Sequence, residues 1–463
     1  MPAQTQQLTL AEVSYRLDRL PASRFHAKVL VVAALSLLFD TLDTAVTGFV
    51  LASLRTIWHF DVKTIGIVSA IGLSGYLMGS FICGFVADRV GRKKTIVLTL
   101  ILYSIFSAWR GLSNTVGVFA ILNFFTWFFV GAESSTVPPY LAELWPSRIR
   151  GKLVGWMMAF FGIGIALSSI WALLIIPSLG WRWALLLTAP LALIGGIMRW
   201  VLPESPRWLI RVGRPSDAEA VMERIESEVS KYSGRLLAPV VPGQSEQAFS
   251  ARRASPSELL GAAYRTVTLM LWAAWFAEYG VLYTYQIFLP TILSAEGHSI
   301  VNSFRYSVVI YSTVIPGYVL GGYLVEWLDR KYAILLSFVS VAVFGTLFAH
   351  SRSPAHIMTF AGSTVFFLSI GSTAIYTYTP ELYPTEIRAT AMGIASAWGR
   401  VGAVTMLLVF GHFFAILGKS LLFLVIAPVL MAAVIVVLCF GPSTRGRPLQ
   451  ETQLGAAGEA LSG

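Results

Sequence analysis

The sequence predicts an all-α integral membrane protein with twelve transmembrane helices in two pseudo-symmetric six-helix bundles. Three observations predict it. Hydrophobic residues make up 56% of the chain and charged residues only 13%, against about 25% charged in soluble domains. The charges also cluster, which leaves windows of the ~20 apolar residues that cross a bilayer. No Asp, Glu, Lys or Arg lies between Lys63 and Asp88, Lys152 and Arg182, Arg305 and Glu326, Lys331 and Arg352, Arg352 and Glu381, or Lys419 and Arg445. Finally, GFVADRVGRK (Gly84 to Lys93) is echoed by GYLVEWLDRK (Gly322 to Lys331), and ELWPSRIR (Glu143 to Arg150) by ELYPTEIR (Glu381 to Arg388). From 84 to 322, from 143 to 381 and from 150 to 388 the separation is 238 residues, so one unit occurs twice.

In chain order, residues 1–27 form an N-terminal tail and residues 28–203 the first bundle. The first apolar run, Val29 to Leu54, is too long for the core of a signal peptide and lacks a convincing cleavage site, so it is a span. Short windows such as Thr95 to Trp109 bring the count to about six spans per half. Residues 204–263 are a polar linker. Within it Ser216 with Glu219, and Ser255 with Pro256 and Glu258, have the spacing of helix N-termini. Between them Ser233 to Ser250, rich in Gly, Pro, Ser and Gln, reads as a flexible tether. Residues 264–441 form the second bundle and 442–463 a tail, disordered after Arg445.

Net charge is +10, but its distribution argues against nucleic acid as a partner. Arg16, Arg19, Arg24 and Lys28 precede the first span; Arg89, Arg92, Lys93 and Lys94 follow the second; Arg148, Arg150 and Lys152 follow the fourth. Basic residues on alternate loops place both termini, the linker and these loops in the cytoplasm. Cys83 and Cys439 each fall inside a span, so no disulfide framework is expected. A bacterial inner membrane is the simplest home. No metal-spaced His/Cys cluster and no phosphate-cradling glycine loop is present, so no soluble-enzyme signature competes and no cofactor or metal is expected.

Charges at bilayer depth are costly unless they face a wet cavity or a partner, which makes them the leading site candidates. Asp40 and Asp43, three apart, share one face of the first span. Shifting Asp40 by 238 gives Glu278 in the seventh span. Glu133 interrupts the fourth span and Arg400 stands in the eleventh. A buried carboxylic acid is a natural proton carrier, because desolvation favours its neutral form and a nearby cation its charged form. Asp40 and Glu278 could instead be buried structural partners of neighbouring polar groups. Arg400 carries a planar fork suited to a carboxylate or phosphate, which favours an anionic cargo; its alternative is a permanent bridge to Asp40, Asp43 or Glu278. Tyr279, Tyr283 and Gln286 recur on one face of the seventh span, with Tyr376 and Tyr378 in the tenth and Trp398 near Arg400. Such rings suit a flat aromatic acid, although in a chain with 29 Phe, 17 Tyr and 14 Trp packing alone explains many aromatic stripes.

Paired halves of this kind are a recurring architecture of secondary transporters, with substrate between them. Gly84-x-x-x-Asp88-Arg89-x-Gly91-Arg92-Lys93 resembles the signature loop of the major facilitator superfamily, and Pro203 to Leu209 (PESPRWL) the close of the sixth span in its sugar-porter-like branches. With Pro139 to Glu143 and Tyr378 to Pro384 added, the resemblance covers nearly the whole chain and leans toward metabolite:proton symporters, the nicotinate, aromatic-acid and organic-ion transporters among them. It implies a cytoplasmic gate at Gly84, Asp88, Arg89, Gly91 and Arg92 with Glu143 and Arg150 as partners, and by repeat position Glu326, Arg330, Glu381 and Arg388. Such charges are expected to pair across the halves when the inner side closes. Trp327 and Asp329 replace the Arg and Gly of the first loop, so the second half-site is expected to be the weaker. Many relatives carry an arginine where this chain has Asn123, a departure that bears on the proton route.

The function expected is transport of a small organic anion with protons by alternating access, by a monomer. A sugar or polyol carrier, or an uncoupled facilitator, is the alternative. A membrane receptor is the third class, and would usually add a folded cytoplasmic domain or long tail.

Overall fold

The structure, a computed structural model, describes residues 8–200, 202–233 and 256–444, and every regular element among them is helical. Helix α1 (Leu10–Asp18) precedes the first span, α2 (Arg24–Trp58). The N-terminal half continues with α3 (Val62–Val90), α4 (Arg92–Gly111), α5 (Val116–Leu144), α6 (Ser147–Leu179) and a broken sixth span, α7 (Trp181–Leu186) and α8 (Thr188–Trp200). Helices α9 (Pro206–Arg211) and α10 (Pro215–Ser233) and a 3-10 turn at Pro256–Leu260 lead to α11 (Arg265–Ala295). A broken eighth span, α12 (Ile300–Ser312) and α13 (Val314–Trp327), is followed by α14 (Arg330–His350), α15 (Pro354–Glu381) and α16 (Thr385–Leu417). The last span is α17 (Ala427–Phe440), entered through a π turn at Leu422–Ile426. The expected tether, Ser233 to Ser250, falls almost wholly outside the described residues, as do Ser255 and the tail after Thr444.

Eight helices are long and apolar enough to cross a membrane by length and composition alone, counting α12 and α13 as one. Helices α4 and α11, which carry Arg110 and Glu278, and the sixth and twelfth spans complete the twelve passes. The interruptions share a cause. A proline ring clashes with the carbonyl four residues back and offers no N–H, and Pro190, Pro316 and Pro428 stand four residues after Leu186, Ser312 and Leu424, where α7 ends, α12 ends and the π turn runs.

The repeat reaches down to single hydrogen bonds. Tyr140 donates to the Pro203 carbonyl at 2.5 Å, and Tyr378 to the Pro442 carbonyl at 2.7 Å. Arg92 pairs with Glu143 at 3.3 Å, and Arg330 with Glu381 at 3.0 Å. One feature has changed hands. In the first half Gly91, at φ 116°, leaves room for Glu204, whose carboxylate accepts the Lys93 N–H at 3.1 Å and so caps α4. Burial pushes the Glu204 carboxyl above its ordinary range. In the second half Asp329 stands where Gly91 does, caps α14 itself, and binds Ser443 and the Thr444 N–H beyond the last span. The departure at Asp329 thus moves the capping carboxylate from the segment after the span to the loop before it.

Helix α1 is clamped to the linker. Arg16 reaches Glu219 at 2.7 Å and Glu226 at 2.8 Å, and Arg19 reaches Glu226 at 2.7 Å. Helix α10 starts at Pro215, so Glu219 bonds Arg16 rather than closing back on Ser216 as the spacing suggested. Burial raises the Glu226 carboxyl, but the two guanidiniums outweigh it and hold the group below its ordinary range. A depressed carboxylate contributes stability that is complete above the unfolded value, about 4.3, and lost as pH falls through the folded value. Amide protection factors in α1 should therefore hold down to about pH 4 and collapse below it, and Arg16→Ala should collapse them at neutral pH. Unchanged protection in the variant would show that α1 is held otherwise.

The halves meet along α3 against α16, α2 against α11, and α6 against α12 and α13. On the face opposite the basic loops this contact is tight. A Cβ on Gly66 would lie 2.6 Å from the Leu407 carbonyl, one on Gly48 2.8 Å from the Gln286 carbonyl, and the Phe49 and Phe304 rings pack at 5.1 Å. Small residues let membrane helices approach this closely.

Candidate functional site

Three polar groups occupy the membrane interior: one inside each half and one between them.

Inside the N-terminal half, Asp43 on α2 and Arg110 on α4 form an ion pair at 2.8 Å with both side chains at 0% exposure. Asp43 also accepts from Ser107 at 2.9 Å and from Thr188 at 2.7 Å; Thr188 opens α8 at the break made by Pro190. Arg110 donates to Thr47 at 3.1 Å and to Asn123 at 2.6 Å, and Asn123 turns its amide to the Val68 carbonyl. Asn123 thus holds a guanidinium that arrives from α4, where the resemblance leads one to expect an arginine on α5 itself. Asp40 and Glu133 are each 4% exposed, and Tyr103 on α4 interacts electrostatically with both of them and with the Asp43–Arg110 pair. The three acids predicted for this half do converge, but Asp43 lies in a dry ion pair rather than on a wet cavity.

Inside the C-terminal half, Glu278 is at 0% exposure and accepts from Ser372 at 2.5 Å.

Between the halves, near the midpoints of α3 and α16, Arg400 donates to the Tyr76 hydroxyl at 2.8 Å and to Ser396 at 2.5 Å on its own helix. Its guanidinium carbon lies 4.3 Å from the Tyr76 ring centre and 5.7 Å from that of Tyr279, within the range of cation–π attraction. Tyr279 and Tyr376 bond through their hydroxyls at 2.6 Å. Tyr283 stacks obliquely on Tyr279 at 5.9 Å, and Trp275 closes on Tyr376 at 4.9 Å. Arg400 and Tyr76 keep 8% exposure, Tyr279 7% and Tyr283 6%, so this cluster touches accessible space where Asp43, Arg110 and Glu278 do not. Among the described residues no carboxylate lies within 4 Å of Arg400, which removes the permanent bridge as an explanation. Its Nε has no acceptor among them either. A planar cation with its Nε donor unused among the described residues, walled by tyrosines, has the geometry to hold an anion such as a carboxylate side-on.

Gln286 lies further along α11 and lines a cavity between the halves with Ile165, Tyr311 and Tyr318, with room for about a single water. Trp398 does not join the cluster. It is 39% exposed and stacks on Trp272 at 5.2 Å, because two helical positions carry a side chain to the opposite side from Arg400.

The charged loops on the basic face pair within each half rather than across it. Arg92 binds Asp88 at 2.9 Å and Glu143 at 3.3 Å, and Arg330 binds Glu381. Among the described residues no salt bridge joins the halves on this face. Arg89 and Glu326 are exposed, a side chain on Gly84 would meet open space, and Arg388 turns to the Tyr383 carbonyl. Arg150 lies in α6 with its side chain outside the described residues. Asp88, Glu143 and Glu381 each have a basic partner on a neighbouring helix of the same bundle, and among the described residues this conformation shows no cross-half pair.

Sequence reading missed Arg110, Tyr76 and Tyr318. Arg110 ends the third apolar window and reads as a flanking charge; the signal available was Asn123, a polar residue where the resemblance leads one to expect a cation.

The sugar (and other) transporter family matches residues 29–455. The chain is 30% identical over 447 residues to the niacin transporter NiaP of Acinetobacter baylyi, covering 95% of this chain and 99% of that protein. It is 30% identical over 433 residues to a gallate transporter of Pseudomonas putida, covering 92% and 94%. A solved structure of the xylose transporter XylE from E. coli, in a partially occluded inward-open conformation, superposes with a TM-score of 0.71 at 19% identity. It covers 92% of this chain and 100% of that one, and at such identity shows the fold alone.

Proposed function

The chain belongs to the sugar (and other) transporter family of the major facilitator superfamily, and on that premise we propose that it carries a small aromatic or heteroaromatic carboxylate across the membrane together with protons. The observation that carries this reading is Arg400, a guanidinium with no carboxylate within 4 Å among the described residues, at the crossing of α3 and α16 and ringed by Tyr76, Tyr279, Tyr283 and Tyr376. A neutral sugar has no need of that cation, whereas a flat acid uses both the fork and the rings. The names of the niacin and gallate transporters support the same class.

In this mechanism Arg400 grips the carboxylate and the tyrosines orient the ring. The basic face is the cytoplasmic one, in a bacterial inner membrane. Asp88, Arg92 and Glu143, with Arg330 and Glu381, form its gate. In the present conformation they pair within each half and leave that face unlatched while the opposite face is sealed. Coupling resides in the acids of the N-terminal half. Separating Asp43 from Arg110 as the helices move would leave a buried carboxylate that gains by taking up a proton, and re-forming the pair would release it.

Proteoliposomes should accumulate labelled nicotinate or gallate when a pH gradient, acid outside, is imposed, and collapse of the gradient should cut accumulation at least tenfold. Accumulation indifferent to the gradient would refute coupling and leave a facilitator.

A further inference from the structure

We propose that Glu278 is a second proton-binding site, in the C-terminal half, joined to the interface between the halves by a hydroxyl relay through Ser372 and Tyr318. The inference rests on the coupled-transport reading above and adds to it where a proton resides in this conformation.

Glu278 and Asp43 are both fully buried acids on the first spans of their halves, yet their surroundings differ. Asp43 has a guanidinium and two hydroxyl donors. Glu278 has one hydroxyl: Oε1 accepts from Ser372, and Oε2 finds no donor among the described residues. Among the described residues no Lys, Arg or His forms an ion pair with it. From α14 comes Ser337, whose hydroxyl is already committed to the Phe367 carbonyl at 2.7 Å. From α15 come Ser372 and Gly371, where an added Cβ would stand 3.0 Å from Oε2. From α13 comes Tyr318, which interacts with Glu278 electrostatically. A bare carboxylate in such a place is costly. A proton on it removes the charge.

The route to that proton is also present. On α13, which packs against α15, Tyr318 interacts electrostatically with Ser372 and Glu278, and it lines the water-sized cavity that Gln286 shares with Ile165 of the other half. A hydrated proton in the cavity protonates the Tyr318 oxygen as Tyr318 passes its own hydrogen to Ser372, and Ser372 passes its hydrogen to Glu278 Oε1. Each hydroxyl gains one proton and loses one. The net movement is one proton from the interface to the carboxylate.

The test uses the full chain in vesicles loaded with a pH-sensitive dye and energised with external nicotinate. Wild type should acidify the lumen as it takes up nicotinate. Glu278→Gln should keep nicotinate exchange across the membrane while lumen acidification per nicotinate falls about twofold, the Asp43 site being left in place. Tyr318→Phe keeps the ring and removes the relay hydroxyl; it should slow acidification about as far, also with exchange retained. Acidification at the wild-type ratio in Glu278→Gln overturns the proposal. If Glu278→Gln does not fold, Tyr318→Phe decides, and wild-type acidification there overturns it equally. Wild-type protein that takes up nicotinate without acidification refutes the coupling reading itself, a failure distinct from that of Glu278.

Discussion

Arg400→Ala is expected to lower the initial rate of nicotinate or gallate uptake about a hundredfold with the fold intact. Truncating one partner of a buried, hydrogen-bonded charge pair costs about 2–5 kcal/mol, and about 1.4 kcal/mol corresponds to a factor of ten. The fold survives because the interactions lost are to Tyr76 and to Ser396 on the same helix, and no carboxylate within 4 Å is orphaned among the described residues. Arg400→Lys keeps the charge but loses the planar fork and its stacking on Tyr76, so it should recover only part of the rate. Uptake by Arg400→Ala at the wild-type rate, with a normal melting temperature, would take Arg400 out of the cargo site.

The second large effect concerns the Asp43–Arg110 pair. Either Asp43→Leu or Arg110→Leu leaves a fully buried charge without its partner, at a cost of about 3–5 kcal/mol. The double variant removes both charges and should melt well above either single one, since a buried ion pair is worth far less than the penalty for breaking it. It should nevertheless lose gradient-driven accumulation, because the group proposed to exchange a proton in this half is gone. Thermal melting of the purified proteins, read as a double-mutant cycle, checks this. Strictly additive losses would show that the two residues do not act as a unit.

The fold was largely legible in the sequence because a bilayer imposes a simple rule: spans must be long, apolar and helical. The charge-free windows and the repeat at 238 residues therefore carried over to helices, and even to the paired bonds of Tyr140 and Tyr378. The identity of the interior charges was legible too, for Asp40, Asp43, Glu133, Glu278 and Arg400 are all buried. Their partners were not. Arg110 enters the Asp43 network from a different helix and Tyr76 reaches Arg400 from the other half, contacts that no helical period encodes. Trp398 failed for the opposite reason. Nearness to Arg400 in sequence implied nearness in space, and the helix turns it outward. The linker helix α10 was expected, but its glutamates serve α1, which a reading of the first residues as a tail does not single out.

The central claim is that a guanidinium among tyrosines, midway between the halves and with no carboxylate within 4 Å among the described residues, recognises a carboxylate. Calorimetric binding of nicotinate and of its neutral amide to the purified protein tests it most directly, because the two share a ring and differ in the charge that Arg400 would hold. The account predicts that the acid binds at least tenfold more tightly than the amide and that Arg400→Ala erases the difference. Equal binding of acid and amide to the wild-type protein would contradict it.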